Sequence, residues 1–277
     1  MRGQIVLSAQ QIREFQERVC DYYRSHGRDL PWRNTDDPYR ILVSEIMLQQ
    51  TQVASVIGKY EPFIRAFPDI ESVACAPLRD ILTLWQGLGY NRRALALKRA
   101  AQIVLAHYGG RIPSSIESLK ALPGIGGVTA HAICVFAFSQ PTVFVETNIR
   151  TVFIHHFFRN SRDVADGEIL PLVAQTLDPE NPRIWYYALM DYGVALKKRH
   201  GNPSRRSARY RRQSPFEGSN RQIRGMILQT LLETSGLSED MLVERVPFGA
   251  EAVRRSLKQL EKEGLILERG DHISIAQ

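Results

Sequence analysis

The sequence predicts an all-α protein that ends in a small winged-helix domain. Helical spacing of apolar residues recurs from residue 38 onward, and strand signals are scarce before the end of the chain. The last sixty or so residues change character and indicate three helices followed by two short alternating runs.

The helices can be assigned in chain order. Residues 38–67 carry apolar side chains close to the 3.6-residue period, and residues 78–110 predict two further helices separated at Gly87 and Gly89. Residues 115–138 predict a short helix, a Pro/Gly-rich turn and a strongly apolar helix.

The C-terminal part differs in composition. The basic stretch 197–217 has little aliphatic content and is expected to be a loop or linker. The segments 220–234, 238–244 and 249–263 then predict helices, with a hairpin turning at Gly270–Asp271.

Charge and cysteine content narrow the function classes. A net charge of +7 favours an anionic partner, and nucleic acid is favoured over membrane because an apolar run of about 18 residues is missing. No signal peptide is recognised, so a cytoplasmic, nucleoid-associated location is expected. Cys20, Cys75 and Cys134 are too few and too far apart for a disulfide framework or a four-thiolate metal site.

The string LPGIGGVTAHAI, residues 122–133, predicts a glycine-rich turn at the start of a helix. Gly124, Gly126 and Gly127 let backbone N–H groups approach a phosphate closely, and the alternative is a plain turn between helices.

Glu45 is a candidate general acid, because apolar neighbours disfavour a charged carboxylate and raise its pKa. Gln49, Gln50, Thr51 and Gln52 follow it, and the amides could hydrogen-bond base edges or fill the space of an extruded base. The alternative is a buried helix acid with no part in catalysis.

Five motifs occur together in one order: LPWR, SEIMLQQTQV, WQGLGYNRRA, LPGIGGVTA and VETNIRTV. In this order they resemble the helix-hairpin-helix-GPD superfamily of DNA glycosylases, most closely its MutY branch, over residues 10–196. The resemblance implies a two-lobed fold, with a six-helix barrel over 32–137 and a second lobe with a basic loop from 1–31 and 138–217. MutY relatives end in a Nudix-like domain, whereas the three helices and the terminal hairpin of this sequence indicate a winged-helix-like domain over 218–277.

The resemblance also implies a set of functional residues. Catalysis falls to Glu45, which protonates the purine, and to Glu146 and Asn148, where the family normally has aspartate before asparagine. DNA contacts fall to Leu48, Gln49, Gln50, Thr51 and Tyr90, to the hairpin residues Gly124, Gly126, Gly127, Val128 and Thr129, and to the basic residues Lys197, Arg205 and Arg206.

Departures from the family pattern shape the prediction. Glu146 is one methylene longer than aspartate, and the alternative is that it only begins a helix. Val128 stands where bifunctional relatives have a lysine nucleophile, so hydrolysis without a lyase step is expected. Lys197 stands at the first cysteine position of the family's iron–sulfur cluster, so no cofactor is expected.

The predicted function is a monofunctional DNA glycosylase acting on adenine opposite 8-oxoguanine or guanine. A glycosylase for mismatched thymine, uracil or another modified base is the alternative, as is a catalytically silent protein that binds damaged DNA. We expect a monomer that binds double-stranded DNA with a mismatched or damaged base and no membrane. The helix 249–263 offers Arg254, Arg255 and Lys258 either to DNA or to a protein partner.

Overall fold

The computed structural model describes residues 5–212 and 215–277. The first four residues of the predicted lobe 1–31, and residues 213 and 214 of the basic stretch, lie outside the described residues. Within the described ranges the chain forms fourteen α-helices and two short β-strands, which confirms the all-α fold class.

The chain divides into two compact units, each built from segments that are separate in the sequence. The first takes in the described residues of Met1–Ile41, Ser114–Lys120 and Gly126–Arg212. Its helices are α1 (Ala9–His26), the first turn of α2 (Pro38–Leu48), α7 (Ile116–Lys120), α8 (Gly127–Phe138), α9 (Thr147–Phe157), α10 (Asp166–Thr176) and α11 (Pro182–His200), with 3-10 turns at Pro31–Arg33 and Pro203–Arg206.

The core of the first unit is aromatic. Phe136 stacks on Tyr187 with ring centroids 4.6 Å apart, and Phe144 stacks on Tyr186 at 4.3 Å. Offset stacking of large rings adds to the free energy gained by burying them. These contacts join α8 and the segment before α9 to α11.

A buried ion pair fixes the N-terminal segment on α11. Asp191 is 2 % exposed and accepts two hydrogen bonds from Arg33 of the LPWR motif, both at 2.8 Å, and one from Arg28 Nε at 2.7 Å. Burial alone would raise the pKa of Asp191, but the hydrogen bonds from Arg33 and Arg28 outweigh it, and the pKa is lowered. The LPWR motif is therefore part of the scaffold.

The second unit takes in the described residues of Leu42–Pro113, Ala121–Ile125 and Gln213–Gln277. It contains the rest of α2, then α3 (Val53–Ala66), α4 (Ile70–Cys75), α5 (Leu78–Trp85), α6 (Arg92–Tyr108), α12 (Asn220–Glu233), α13 (Glu239–Arg245), α14 (Ala250–Glu263), β1 (Ile266–Arg269) and β2 (His272–Ile275).

The C-terminal segment, residues 215–277, has the predicted elements. Ser219 and Ser238 cap α12 and α13 through their side chains, and β1 pairs with β2 in antiparallel register. Arg79 of α5 donates to the carbonyl oxygens of Leu231 (3.1 Å) and Leu232 near the end of α12. The segment is thus bonded directly to the helices of the second unit.

The predicted domain boundaries, after residues 31, 137 and 217, differ from those of the two compact units, and they stay a prediction. Among the helices in the described ranges, none is both long enough and apolar enough to cross a membrane.

Candidate functional site

Arg93, at the start of α6, organises the turns of the second unit. Its side chain is buried, and it donates to the Thr51 hydroxyl at 2.8 Å. Burial lowers the pKa of Arg93 to about 10, so the guanidinium stays charged at neutral pH. It also donates, over 2.6 to 3.1 Å, to five carbonyl oxygens, those of Ile46, Met47, Gln49, Leu88 and Gly89.

These bonds join two turns that carry predicted DNA contacts. One is the turn after α2, where Gln50 has φ 54°, and the other is the GLGY turn, where Tyr90 has φ 47°. Positive φ is uncommon for residues other than glycine and strains the backbone, and such strain is concentrated at functional sites. The Thr51 hydroxyl also donates to the Leu88 carbonyl at 3.2 Å, which links the two turns a second time.

The hairpin turn meets the same cluster. Gln49 Nε2 donates to the carbonyl oxygen of Gly124 at 3.0 Å. Gly124 has φ +79°, and a Cβ there would lie only 2.8 Å from the Cβ of Ala96, so glycine is required both by conformation and by space. Three motifs that are far apart in the sequence therefore meet in the second unit.

The start of α8 carries the other hairpin residues, in the first unit. Gly126 is the N-cap of α8 and supplies no side-chain cap, and Gly127 is the first helical residue. Val128 is 46 % exposed, and Thr129 is half-buried. The predicted phosphate contact at this helix start stays a prediction.

Glu45 and Leu48 lie on α2 within the second unit, and both are half-buried. Glu45 stands between Ser44 and Ile46, which are almost fully buried. Its predicted role as proton donor stays a prediction, and so does its joint action with Glu146, which belongs to the first unit.

Glu146 is the N-cap of α9. One carboxylate oxygen accepts hydrogen bonds from the backbone N–H of Asn148 at 2.6 Å and of Ile149 at 2.8 Å. The other accepts from Asn148 Nδ2 at 3.2 Å. The interpretation that Glu146 begins a helix thus has direct geometric support, and the catalytic role of the same carboxylate stays a prediction.

The surroundings of the N-cap residue Glu146 shift the pKa of its carboxyl group. Burial raises its pKa, although the Ile149 amide, the Lys197 ammonium and the Asn148 amide act in the opposite direction. Lys197 Nζ donates to Asn148 Oδ1 at 2.7 Å, and burial lowers the pKa of Lys197. Glu146, Asn148 and Lys197 therefore form one hydrogen-bonded chain of carboxylate, amide and ammonium.

Gly193 of α11 allows this chain of residues to form. A Cβ at Gly193 would lie 2.5 Å from the carbonyl oxygen of Asn148, so a side chain there would push α11 away from the first turn of α9. Lys197 follows one turn later on α11 and reaches the same turn of α9.

The basic stretch differs from the expected loop. Residues 197–200 continue α11, and the 3-10 turn Pro203–Arg206 is partly buried. Arg206 donates to the carbonyl oxygens of Phe158 (2.7 Å) and Arg159, beyond the end of α9, whereas Arg205 is exposed. The expectation of a linker is corrected for these residues because polar bonding replaces aliphatic packing, and the DNA contacts of Lys197, Arg205 and Arg206 stay predictions.

The donor set does not match a [4Fe–4S] cluster. Such a cluster takes four cysteine thiolates, and the sequence has three cysteines. Cys20 is half-buried on α1, Cys75 is exposed at the end of α4 and Cys134 is buried in α8. Over the described part of the chain, no group of three or more His, Cys, Asp or Glu side chains could hold a metal ion.

Sequence reasoning missed Arg93 and Asp191. The available signal was the second arginine after the GLGYN turn and an aspartate within an apolar helix, since a charge in such a position is rarely buried without partners.

Comparison with known proteins identifies the family. Residues 43–168 match the model of the HhH-GPD superfamily base excision DNA repair proteins. Adenine DNA glycosylase of Mycolicibacterium smegmatis is 32 % identical over 271 residues, which cover 91 % of this chain and 92 % of that protein. Adenine DNA glycosylase of Buchnera aphidicola subsp. Baizongia pistaciae is 36 % identical over 184 residues, which cover 66 % of this chain and 52 % of that protein.

A solved structure agrees with this assignment. The structure of a thermostable thymine-DNA glycosylase superposes with a TM-score of 0.63 and 26 % identity, over 70 % of this chain and 91 % of that chain. Because a full-length relative matches along nearly all of its sequence, the chain belongs to the HhH-GPD superfamily of base excision DNA repair proteins, in its MutY-like branch.

Proposed function

We propose that this protein is a monofunctional DNA glycosylase that hydrolyses the N-glycosidic bond of adenine opposite 8-oxoguanine or guanine. The family and the names of its relatives support the reaction and the base. The observation that carries the proposal is the meeting of the turn after α2, the GLGY turn and the hairpin turn around Arg93. A rigid group of strained turns suits the insertion of side chains into a duplex from which a base is flipped.

The proposed mechanism uses two carboxyl groups. Glu45 donates its proton to the base as the bond from the base nitrogen to C1′ breaks and its electron pair leaves with the base. Glu146 supports the developing positive charge on the sugar, and a water molecule adds to C1′ and transfers its proton to the Glu146 carboxylate. Asn148, bonded to Glu146 and Lys197, orients the carboxylate.

Duplex cleavage tests the substrate. Labelled duplexes carrying A:8-oxoguanine, A:G, T:G, U:G or a hydroxymethylated base are incubated with the protein and then treated with alkali. Scission confined to the two adenine duplexes is the expected result. Scission of T:G or U:G alone would replace adenine as the target.

Glu45→Gln tests the proton donor. The amide cannot supply the proton, so excision should be abolished in single-turnover assays, while binding to the same duplex stays within about threefold, under about 1 kcal/mol. An equal loss of binding and excision would instead assign Glu45 a structural role.

Borohydride trapping tests the single-step chemistry. A lysine that attacks C1′ forms a Schiff base that borohydride reduces to a covalent protein–DNA adduct. We expect no adduct, because Val128 lies at the hairpin and Lys197 is bonded to Asn148. An adduct lost in Lys197→Met would overturn the monofunctional assignment.

We also propose that the protein works without an iron–sulfur cluster. Three dispersed cysteines and the ammonium of Lys197 at the first ligand position support this. Purified protein should contain far less than one iron per chain and lack the broad visible absorbance of a cluster. A stoichiometric iron content would contradict it.

A second candidate is a glycosylase for mismatched thymine or uracil. It is favoured by the likeness to the thymine-DNA glycosylase structure and by glutamate at position 146. A catalytically silent damage-binding protein would bind these duplexes without scission of any of them. A monomeric state and a cytoplasmic, nucleoid-associated location remain part of the proposal, to be tested by light scattering and fractionation.

A further inference from the structure

A cavity of about 770 Å³ in the second unit, here called the basic cleft, lies outside the proposed chemistry. Its walls come from the turn after α2, the start of α6, the hairpin turn and the C-terminal helices α12 and α14. Gln49, Tyr90 and Gly124, all predicted DNA contacts, line it. The cleft is therefore continuous with the surface through which we propose the protein engages DNA.

The charge of the basic cleft is strongly one-sided. Among the described residues that line it, Glu263 is the sole acid. Arg224 pairs with that acid through Nη1 at 3.2 Å, and Arg92 approaches it at 3.8 Å. The six cationic side chains of the lining are Arg92, Arg93, Arg99, Arg221, Arg224 and Lys262. One carboxylate cannot neutralise six cations, so the cleft attracts anions.

The cations of the basic cleft differ in their hydrogen bonding and in their exposure to solvent. Arg93 is committed to backbone carbonyls, as described above, whereas Arg99 on α6 and Lys262 on α14 are exposed. Since Arg99 comes from the glycosylase helices and Lys262 from the C-terminal segment, an anion between them would be held by both parts of the second unit.

Arg221 of α12 ties the C-terminal segment to the GLGY turn. Its Nη1 donates to the Tyr90 hydroxyl at 3.0 Å, and its guanidinium carbon lies 5.5 Å from the centroid of the Tyr90 ring. The Arg93 guanidinium lies at the same distance from that ring. Tyr90 is thus held by a cation from each part of the unit, at a backbone conformation that is strained.

We propose that the basic cleft binds the backbone phosphates of DNA and that Arg99 and Lys262 make these contacts. The C-terminal segment then belongs to the DNA-binding surface through the ends of α12 and α14 that face the cleft. This differs from the predicted docking of α14 through Arg254, which pairs with Glu239 at 2.7 Å outside the cleft. The inference rests on the proposed function, since it assumes a DNA substrate.

Salt-dependent binding tests the proposal. The Kd of the full chain for a duplex carrying an abasic-site analogue is measured by fluorescence anisotropy at several salt concentrations. Each phosphate contact releases condensed counterions, so Arg99→Ala and Lys262→Ala should each weaken binding several-fold and lower the slope of log K against log salt by about 1. Arg65→Ala, an exposed arginine on α3 that does not line the cleft, is the matched control and should bind like the unaltered protein.

Two outcomes separate this inference from the proposed function. If the unaltered protein excises adenine while both cleft variants match Arg65→Ala in Kd and in salt slope, the phosphate site is wrong and the enzyme assignment stands. If the cleft variants lose binding but the unaltered protein cuts none of the duplexes, the phosphate site stands and the enzyme assignment fails.

Discussion

The Arg93 cluster and the Glu146 cluster each place a charge at a helix terminus where it complements the helix dipole. The first does so at the C-terminus of α2 and the second at the N-terminus of α9. Arg93 places a cation against the carbonyl oxygens at the end of α2, and Glu146 places an acid against the amides at the start of α9. The two clusters differ in how the charge of their central side chain depends on pH. An arginine stays charged across the physiological range, whereas the pKa of Glu146 is raised by burial.

This difference separates a permanent scaffold from a group that can change state. The Arg93 cluster fixes the turns that we propose enter DNA, and the Glu146 cluster holds a carboxyl whose pKa is raised by burial. The proposed mechanism uses both, because the enzyme must deform a duplex and also stabilise a developing positive charge.

The largest expected effect is on the Arg93 cluster. Arg93→Met removes the hydrogen bonds to the five carbonyl oxygens and to the Thr51 hydroxyl, so the free energy of unfolding should fall by about 3–5 kcal/mol. Urea denaturation measures the loss. Arg92→Met, at the adjacent and mostly exposed arginine, should cost less than about 1 kcal/mol. Equal losses in the two variants would show that Arg93 is not a scaffold residue.

A pH series tests the Glu146 cluster. Because the folded-state pKa of Glu146 is raised, its contribution to stability is complete below the unfolded value of about 4.3 and is lost as pH rises through the folded-state pKa. Between these limits the unfolding free energy of the unaltered protein, relative to Glu146→Gln, should fall by at most about 1.4 kcal/mol per pH unit.

Lys197→Met sharpens this measurement. Removing the ammonium takes away one influence that lowers the pKa of Glu146, so the fall should extend to higher pH than in the unaltered protein. If the difference in unfolding free energy between the unaltered protein and Glu146→Gln did not change with pH, the Glu146 carboxyl would not titrate with a raised pKa.

The smallest expected effect tests whether the Arg93 cluster acts as a unit. Thr51→Val removes one acceptor of Arg93 and the bond to Leu88, at a cost of about 0.5–1.5 kcal/mol in unfolding free energy. In a double-mutant cycle with Arg93→Met, the two losses should be less than additive. Full additivity would mean that the two turns are held independently.

Local pattern predicted much of the fold. The C-terminal helices, expected over 220–234, 238–244 and 249–263, occur within one residue of those bounds, because apolar spacing and serine caps are local signals. Helix α4 was missed, since six residues are too short to establish a period.

Contacts between distant residues limited the prediction of the site. The position of Arg93 depends on acceptors more than forty residues away, as in its bond to Ile46, and no local pattern encodes that pairing. The net charge also does not reveal which cations donate hydrogen bonds to carbonyl oxygens at helix ends. Lys98 donates to the carbonyl oxygens of Ala74 and Ala76 at the end of α4, and Arg206 donates to that of Phe158 at the end of α9. A net charge of +7 therefore shows that anions are attracted but not which side chains meet them.

The bond from Arg79 to the end of α12 has a mechanical consequence. The hydrogen bonds of Arg79 connect α12 to α5, which leads directly into the GLGY turn, so we expect a displacement of α12 to shift that turn. The winged-helix-like segment therefore supports the loop that carries Tyr90. Deleting this segment would loosen the loop whether or not the segment contacts DNA.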